Sequence, residues 1–348
     1  MKSKRATIKD VAKKAGVSTA TVSFVLNDNP NETISEAARK RVLDAARELN
    51  YHASAAAAGL ARKRNGNVGI VFYKDDDTIT NHFYSFVVQG AVKEAIEHNY
   101  NLLFSYLDAT YRGYQDLPKI LREKNAEGVL FMRRLQPRLV KDVTELGIPI
   151  VAVDTVPRVE NINNVRIDDR RGGLLAGEYL FLLGHKHVAM IVPRSPAPSV
   201  EDRLIGFRSA FDKCERKFSR ALNVIESEAL TFESGYEATH RALEKHKELT
   251  ALFCSNDEMA AGALRAAREL GLKVPRDLSV IGFDDIVMSN YTDPPLTTVS
   301  VLKEHMGRRA MARLIELVER VDDRVKTELA PVDFVVRGTT AKPRPSKR

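Results

Sequence analysis

From residue 67 onward the chain alternates short apolar runs with amphipathic stretches, and it does so in two successive series. NVGIVFY, YNLLFSYL, EGVLFM and IPIVAVD are apolar at nearly every position, the pattern of parallel strands covered on both faces. Between them, VVQGAVKEAIEHN and RLVKDVTELG place apolar residues at helical spacing. NINNVRIDD breaks the pattern, and HVAMIVP, ALNVIES, TALFCSND and LSVIGFDD resume it, with helices expected over RRGGLLAGEYLFLLG, RLIGFRSAFDKC, GYEATHRALEKH and DEMAAGALRAAREL. Two βα series of similar length predict an α/β protein with two doubly wound parallel-sheet lobes and a cleft between them. Ligands of such lobes sit beyond the C-terminal strand ends, here Tyr73, Lys74, Arg133, Asp154, Asn256, Asp257, Asp284 and Asp285.

The first fifth differs in charge. Residues 1–65 carry 13 Lys/Arg against 6 Asp/Glu, and the rest carries 41 against 40, so nearly all of the net +8 sits at the N-terminus. A concentrated basic block with helical patterning is the footprint of a nucleic-acid-binding module, because each neutralised phosphate releases counterions. The alternative is a solvated lysine-rich face. No apolar run is long enough to span a bilayer, and MKSKRATIKD leads into an amphipathic pattern rather than a secretion signal, so the expected compartment is the cytoplasm. Cys214 and Cys254 fall in expected buried elements and read as core residues.

Within the basic block, Thr7 stands three residues before Asp10, a helix-start pattern, and Ile8, Val11, Ala12 and Ala15 follow on one face. Gly16 ends that helix and Ser18 can cap the next, which makes a helix-turn-helix. Ser35 starts a third helix, SEAARKRVLDAARELN. The second helix of such a unit enters the major groove, which puts Thr19, Ala20, Ser23, Phe24 and Asn27 at or near DNA. A helical hairpin without a ligand explains the Val22, Val25 and Leu26 stripe equally well, but not a phenylalanine on the opposite side. HASAAAAGLARKR is too short and too poor in apolar groups for a stable isolated helix. It reads either as a linker or as a helix that forms on binding and wedges Leu60 into a minor groove.

No catalytic constellation is found: there is no nucleophile elbow, phosphate loop or zinc-protease motif. His185 and His187 read as turn chemistry rather than a metal pair, and Gly172, Gly173 and Gly177 as close helix packing rather than a dinucleotide loop. Neither an enzyme, a metal site nor a cofactor is expected.

TIKDVAKKAGVSTATVSFVLN, NYHASAAAAGLARKR, VEDRLIGF, TFESGY, LFCSNDEMAAGA, VPRDLSVIGFDD, PPLTTV and VVRGTT, in this order, resemble the motif blocks of the LacI/GalR family of bacterial transcription regulators. The resemblance runs over essentially the whole chain. It implies a repressor that binds a palindromic operator as a homodimer or higher oligomer, controlled by a sugar or sugar derivative in a periplasmic-binding-protein-like core. By position it implies base readers at Thr19, Ala20 and Phe24, a hinge-packing Ala57 and the minor-groove Leu60. Phosphate contacts are implied at Thr7, Ser18, Ser23, Asn27, Ser35 and Tyr51. For the effector it implies Phe83, Tyr84, Asp154, Arg203, Phe232, Asn256 and Asp284. The expected division is a headpiece at 1–51, a hinge at 52–65, a first lobe at 66–164 with 294–325, a second at 165–293 with 326–340, and a disordered basic tail at 341–348. A solute-binding receptor with the same two lobes is the alternative.

Three departures from the family pattern bear on specificity. Phe24 stands where most members carry a basic residue, which predicts T·A in place of G·C in the half-site. Ala53 and Ser54 replace a Pro-Asn, and His82 replaces a proline. Arg133 and Arg134, with Lys74, add positive charge near the strand ends, so an anionic effector held by Arg203 and one of them is expected beside the alternative of plain surface charge.

Overall fold

The structure, a computed structural model, describes residues 6–26, 34–51, 65–74, 81–155, 159–195, 197–212 and 222–344. The Asp10 carboxylate accepts from the backbone N–H and the hydroxyl of Thr7, at 2.8 and 2.7 Å, and closes the start of α1 (Ile8–Ala15). Gly16 ends α1 at φ 64°, a conformation that favours glycine. The Ser18 hydroxyl accepts from the Thr21 N–H at 3.0 Å and starts α2 (Thr19–Leu26). Ser35 accepts from the Ala38 N–H at 3.3 Å and starts α3 (Glu36–Glu48). Val11, Ala12, Ala15, Val22, Val25, Val42, Ala45 and Ala46 form the core of this three-helix unit, as the helix-turn-helix pattern requires. The expected hinge residues Ala57 and Leu60 lie outside the described residues, as does Asn27.

The core contains two six-stranded sheets. The first is built from β1 (Asn67–Tyr73), β2 (Asn101–Leu107), β3 (Val129–Met132), β4 (Ile150–Val153), β5 (Asn163–Ile167) and β11 (Thr327–Ala330), in the order β11-β5-β4-β3-β1-β2 and parallel throughout. The second contains β6 (Val188–Pro193), β7 (Leu222–Ser227), β8 (Ala251–Cys254), β9 (Ser279–Asp284), β10 (Thr297–Val301) and β12 (Val332–Val335), in the order β12-β10-β9-β8-β6-β7, with only the β10–β12 pair antiparallel. Each order reverses direction between its first and third strands, which puts a switch point beside β1 and β3 in one lobe and beside β6 and β8 in the other.

Helices α4 (His82–Glu97), α5 (Lys119–Arg122), α6 (Pro137–Glu145), α7 (Asp169–Leu183), α8 (Pro198–Asp212), α9 (Phe232–Lys245), α10 (Asp257–Glu269) and α11 (Lys303–Val318) cover these sheets. One hydrophobic cluster runs from Val87 and Met306 under the first sheet to Phe207 and Phe283 in the second lobe. Separate clusters fill the opposite face of each sheet. Where α7 crosses α8 the backbones nearly touch: a Cβ on Gly173 would stand 2.0 Å from the Arg203 carbonyl oxygen, and one on Gly206 1.9 Å from that of Arg170. The glycines of RRGGLLAG are therefore packing residues.

The hydrogen-bond ladders move the expected lobe boundaries. The NINNVRIDD stretch, expected as a break, supplies β5 of the first sheet, so residues 165–167 belong to the first lobe. Residues 297–301 pair with β9 and belong to the second lobe, and residues 327–330 pair with β5 and belong to the first. A strand belongs where its backbone groups find partners, and the expected division differs from that pairing at these three segments. The number of crossings stays at three: after Ile167, after Val301 and at Pro331. The expected disorder of the tail also fails for its first part. The Ala341 N–H donates to the Ser279 hydroxyl at 3.1 Å, and the Ala341 carbonyl lies 2.9 Å from His185 Nε2. These bonds seat the tail on the second lobe.

Candidate functional site

Two regions carry functional side chains. On the headpiece, Thr19 and Ala20 are exposed on α2, Ser23 is half-buried, and Thr7, Ser18 and Ser35 stand at the three helix N-termini. Helix N-termini present unpaired N–H groups and positive partial charge, the arrangement that receives phosphate. Tyr51 packs on the headpiece core. Phe24, expected on the outward side, is half-buried rather than exposed.

The second region is the cleft. Arg133, Asp154 and Asp284 follow or end β3, β4 and β9 at φ 66°, 53° and 104°, positive values that non-glycine residues rarely adopt. The Arg133 and Asp154 N–H groups still bond the Val153 and Val165 carbonyls at 2.9 Å each, so the backbone turns only after pairing is complete. The Tyr84 hydroxyl donates to Asp154, and the Arg133 guanidinium lies 5.7 Å from the Tyr84 ring centroid. From the second lobe, Arg203 donates through Nε to Asp169 at 2.8 Å and through Nη1 to the Ser255 carbonyl, and its guanidinium carbon rests 3.7 Å from the Phe283 ring centroid. Asp284 lies 3.8 Å from Arg203.

Burial and mutual repulsion shape this cluster. Burial raises Asp154 above the ordinary carboxylate value, against the pull of the Tyr84 hydroxyl, Arg203 and Arg133. Burial pushes Asp169 up to about 6 against Arg203, and Asp284 up to about 8 against Arg203 and Lys303. Tyr84 is raised by burial and by Asp154. A recess of about 290 Å³, counted with its open mouth, is lined from both lobes by Arg133, Asp154, Arg166, Asp169 and Ser199.

The structure thus brings Tyr84, Arg133, Asp154, Arg203 and Asp284 together. Phe83 is buried and meets Tyr84 edge-on at 5.0 Å. Asn256 caps α10 through the Met259 N–H at 2.9 Å and donates to the Leu230 carbonyl at 3.1 Å, while Phe232 opens α9, half-buried. Arg203, expected to hold an anion, is committed to Asp169, Ser255 and Phe283. Arg134 lies 5.0 Å from the Tyr73 ring centroid, and Lys74 is exposed.

Sequence reading missed three groups. Asp169 looks like an ordinary helix-start acid, and Arg166 sits in the stretch read as a break. Lys303 is buried where the chain re-enters the first lobe, and its ammonium donates to the Asp285 and Val301 carbonyls at 3.0 and 3.3 Å and to that of Asp284. The scattered reactive residues resolve into structure. His185 Nδ1 lies 2.9 Å from the Thr250 hydroxyl, and Cys254 is buried with its thiol value pushed up, while Cys214 lies outside the described residues. Among the described residues no group of three or more His, Cys, Asp or Glu stands together as a metal site, and no helix is long and apolar enough to cross a membrane.

Residues 7–54 match the model of the bacterial regulatory proteins of the lacI family, and residues 178–340 match the periplasmic binding protein-like domain. The HTH-type transcriptional regulator RegA of Clostridium saccharobutylicum is 32% identical over 90% of this chain and 92% of its own. A lac repressor dimer solved bound to operator and the anti-inducer ONPF superposes with a TM-score of 0.81 at 27% identity, covering 97% of this chain and 100% of that one. A transcriptional regulator CelR–cellobiose complex superposes at 0.71 with 26% identity, covering 96% and 100%.

Proposed function

Because the chain belongs to the lacI family of bacterial regulatory proteins, we propose that it is a cytoplasmic repressor that binds a near-palindromic operator as a homodimer under the control of a sugar-like effector in the interlobe cleft. The observation that carries this reading is the convergence of Arg133 and Asp154 from one lobe with Asp169 and Arg203 from the other, in a chain whose basic excess lies on a helix-turn-helix. Thr19, Ala20 and Phe24 read bases, and the capped starts of α1, α2 and α3 hold phosphates. Ala57 and Leu60 act in the hinge. A second copy has apolar surface to cover, since Phe104 and Tyr106 on edge strand β2 are about half exposed and Tyr291 is 80% exposed. The cleft binds rather than reacts. Its acids and arginines are held by one another, with Arg203 on Asp169 and the Tyr84 hydroxyl on Asp154.

Control is a population shift: the effector favours one angle between the lobes and alters operator affinity by that preference and no more. The basic headpiece weighs against a solute-binding receptor. Selection from random-sequence duplexes followed by gel shift tests the reading. A palindromic consensus whose binding falls steeply with salt is expected, and binding without sequence preference would refute it.

A further inference from the structure

Resting on the reading of the cleft as the effector site, we propose that Lys303 is a positioning residue that pins the two lobes at one angle and holds Asp284 at the cleft, so that neither moves without the other. Lys303 is the first residue of α11, a helix that packs on β3, β4 and β5 of the first lobe. Its ammonium donates across to the second lobe, to the carbonyls of Asp284 and Asp285 at the end of β9, and to that of Val301, the last residue before the crossing. An ammonium has three donors, and here three carbonyls receive them.

Both ends of this link are fixed. At the start of α11 the backbone nearly touches α4: a Cβ on Gly90 would stand 2.0 Å from the Glu304 carbonyl oxygen, and one on Gly307 1.8 Å from that of Val87. In the second lobe Asp284 still pairs with Ser300 of β10, and the Asp285 carboxylate accepts from Arg337 Nη2 at 2.6 Å. Arg337 in turn donates through Nη1 to the Leu296 carbonyl at 2.8 Å. Asp284 therefore faces two ways, with its carbonyl on Lys303 and its carboxylate 3.8 Å from Arg203 in the cleft. A methionine would fill the space of Lys303 without desolvating a charge, so packing alone does not call for an ammonium here. Bonds that run from one lobe to the other do.

The sheet orders say where such a pin is best observed. The crossings adjoin β5 and β11 in one sheet and β10 and β12 in the other, whereas β2 and β7 form the opposite edges. Rotation about the crossings displaces the head of Lys303 least and the loops after β2 and β7 most. Arg112 and Glu228, both exposed, stand in those two loops.

Pulsed electron resonance between spin labels at Arg112→Cys and Glu228→Cys reads the mouth of the cleft, in a Cys214→Ser chain diluted with unlabelled protein; Cys254 is buried. With Lys303 in place one narrow distance is expected, and with Lys303→Met, checked for an intact thermal transition, a distribution at least twice as wide. Affinity for the selected operator, without effector, should also change at least fivefold in Lys303→Met. A distribution that Lys303→Met leaves as narrow as before would overturn the pin. A wider distribution with unchanged operator affinity would support the pin and overturn the link from lobe angle to DNA. Should Lys303→Met fail to fold, magnetic resonance of the lysine ammonium groups decides on the otherwise unaltered chain. A slowly exchanging ammonium signal that vanishes in Lys303→Arg is expected, and the lack of any such protected signal would overturn the pin.

Discussion

Arg203 Nε and Asp169 Oδ1 lie 2.8 Å apart inside the second lobe, with side chains only 7% and 2% exposed. Such a pair resists the loss of one partner more than the loss of both, because a lone buried charge is the costly state. Arg203→Met is expected to lower unfolding stability by about 3–5 kcal/mol. Adding Asp169→Leu should restore much of it. Urea unfolding of the three variants measures this, and a double variant no more stable than Arg203→Met would contradict it.

Proton uptake by Asp284 ties stability to pH. Its folded value of about 8 lies above that of an unfolded aspartate, so its contribution is complete at low pH and is lost as pH rises toward 8. Arg203, Asp257, Lys303 and Asp154 face it. Asp169 and Asp257, both at about 6, give the same slope mainly below pH 6. Between pH 6 and 8 the decline should belong to Asp284, at no more than about 1.4 kcal/mol per pH unit. His185, lowered by burial, acts in the opposite direction, so the difference between the unaltered protein and Asp284→Asn isolates the aspartate. Parallel thermal-melt profiles for the two would show that Asp284 does not hold its proton.

Gly173→Ala should do more than fill space. Its methyl would meet the Arg203 backbone, which no rotamer change can relieve, so α8 must move away from α7. A stability loss of about 1–3 kcal/mol is expected, with weakened effector binding because α8 carries Arg203 and Ser199. Unchanged melting and binding would mean that the helices can part freely.

At the headpiece, Phe24→Arg should move the selected base pair from T·A to G·C. The T·A preference given by Phe24 is expected to be about 1 kcal/mol, at the low end of the 1–3 of a bidentate contact. Operator selection with both proteins reads this. An unchanged consensus would assign Phe24, already half-buried, to packing instead.

Apolar runs announced eight of the strands: six because a parallel strand covered on both faces needs apolar residues throughout, and the edge strands β2 and β7 because enough apolar residues remain on their covered face. The remaining four carry no such mark. β5 reads NNVRI, and β11 and β12 are four-residue edge strands with one acid each, so pairing rather than composition makes them strands. The same limit governs the site. Arg203 stands in a motif block and Asp154 closes an apolar run, but Asp169, Arg166 and Lys303 gain meaning only from neighbours far away in sequence.

Pro331 alone separates β11 in the first sheet from β12 in the second. A ribosome releases the amino end first, so neither lobe has all its strands until the stretch around Pro331 has emerged. The first lobe, though begun earliest, must wait with an open sheet edge while the whole of its neighbour is being made. The two mature together, within a few residues of each other, and a chain cut short before residue 327 would leave both unfinished.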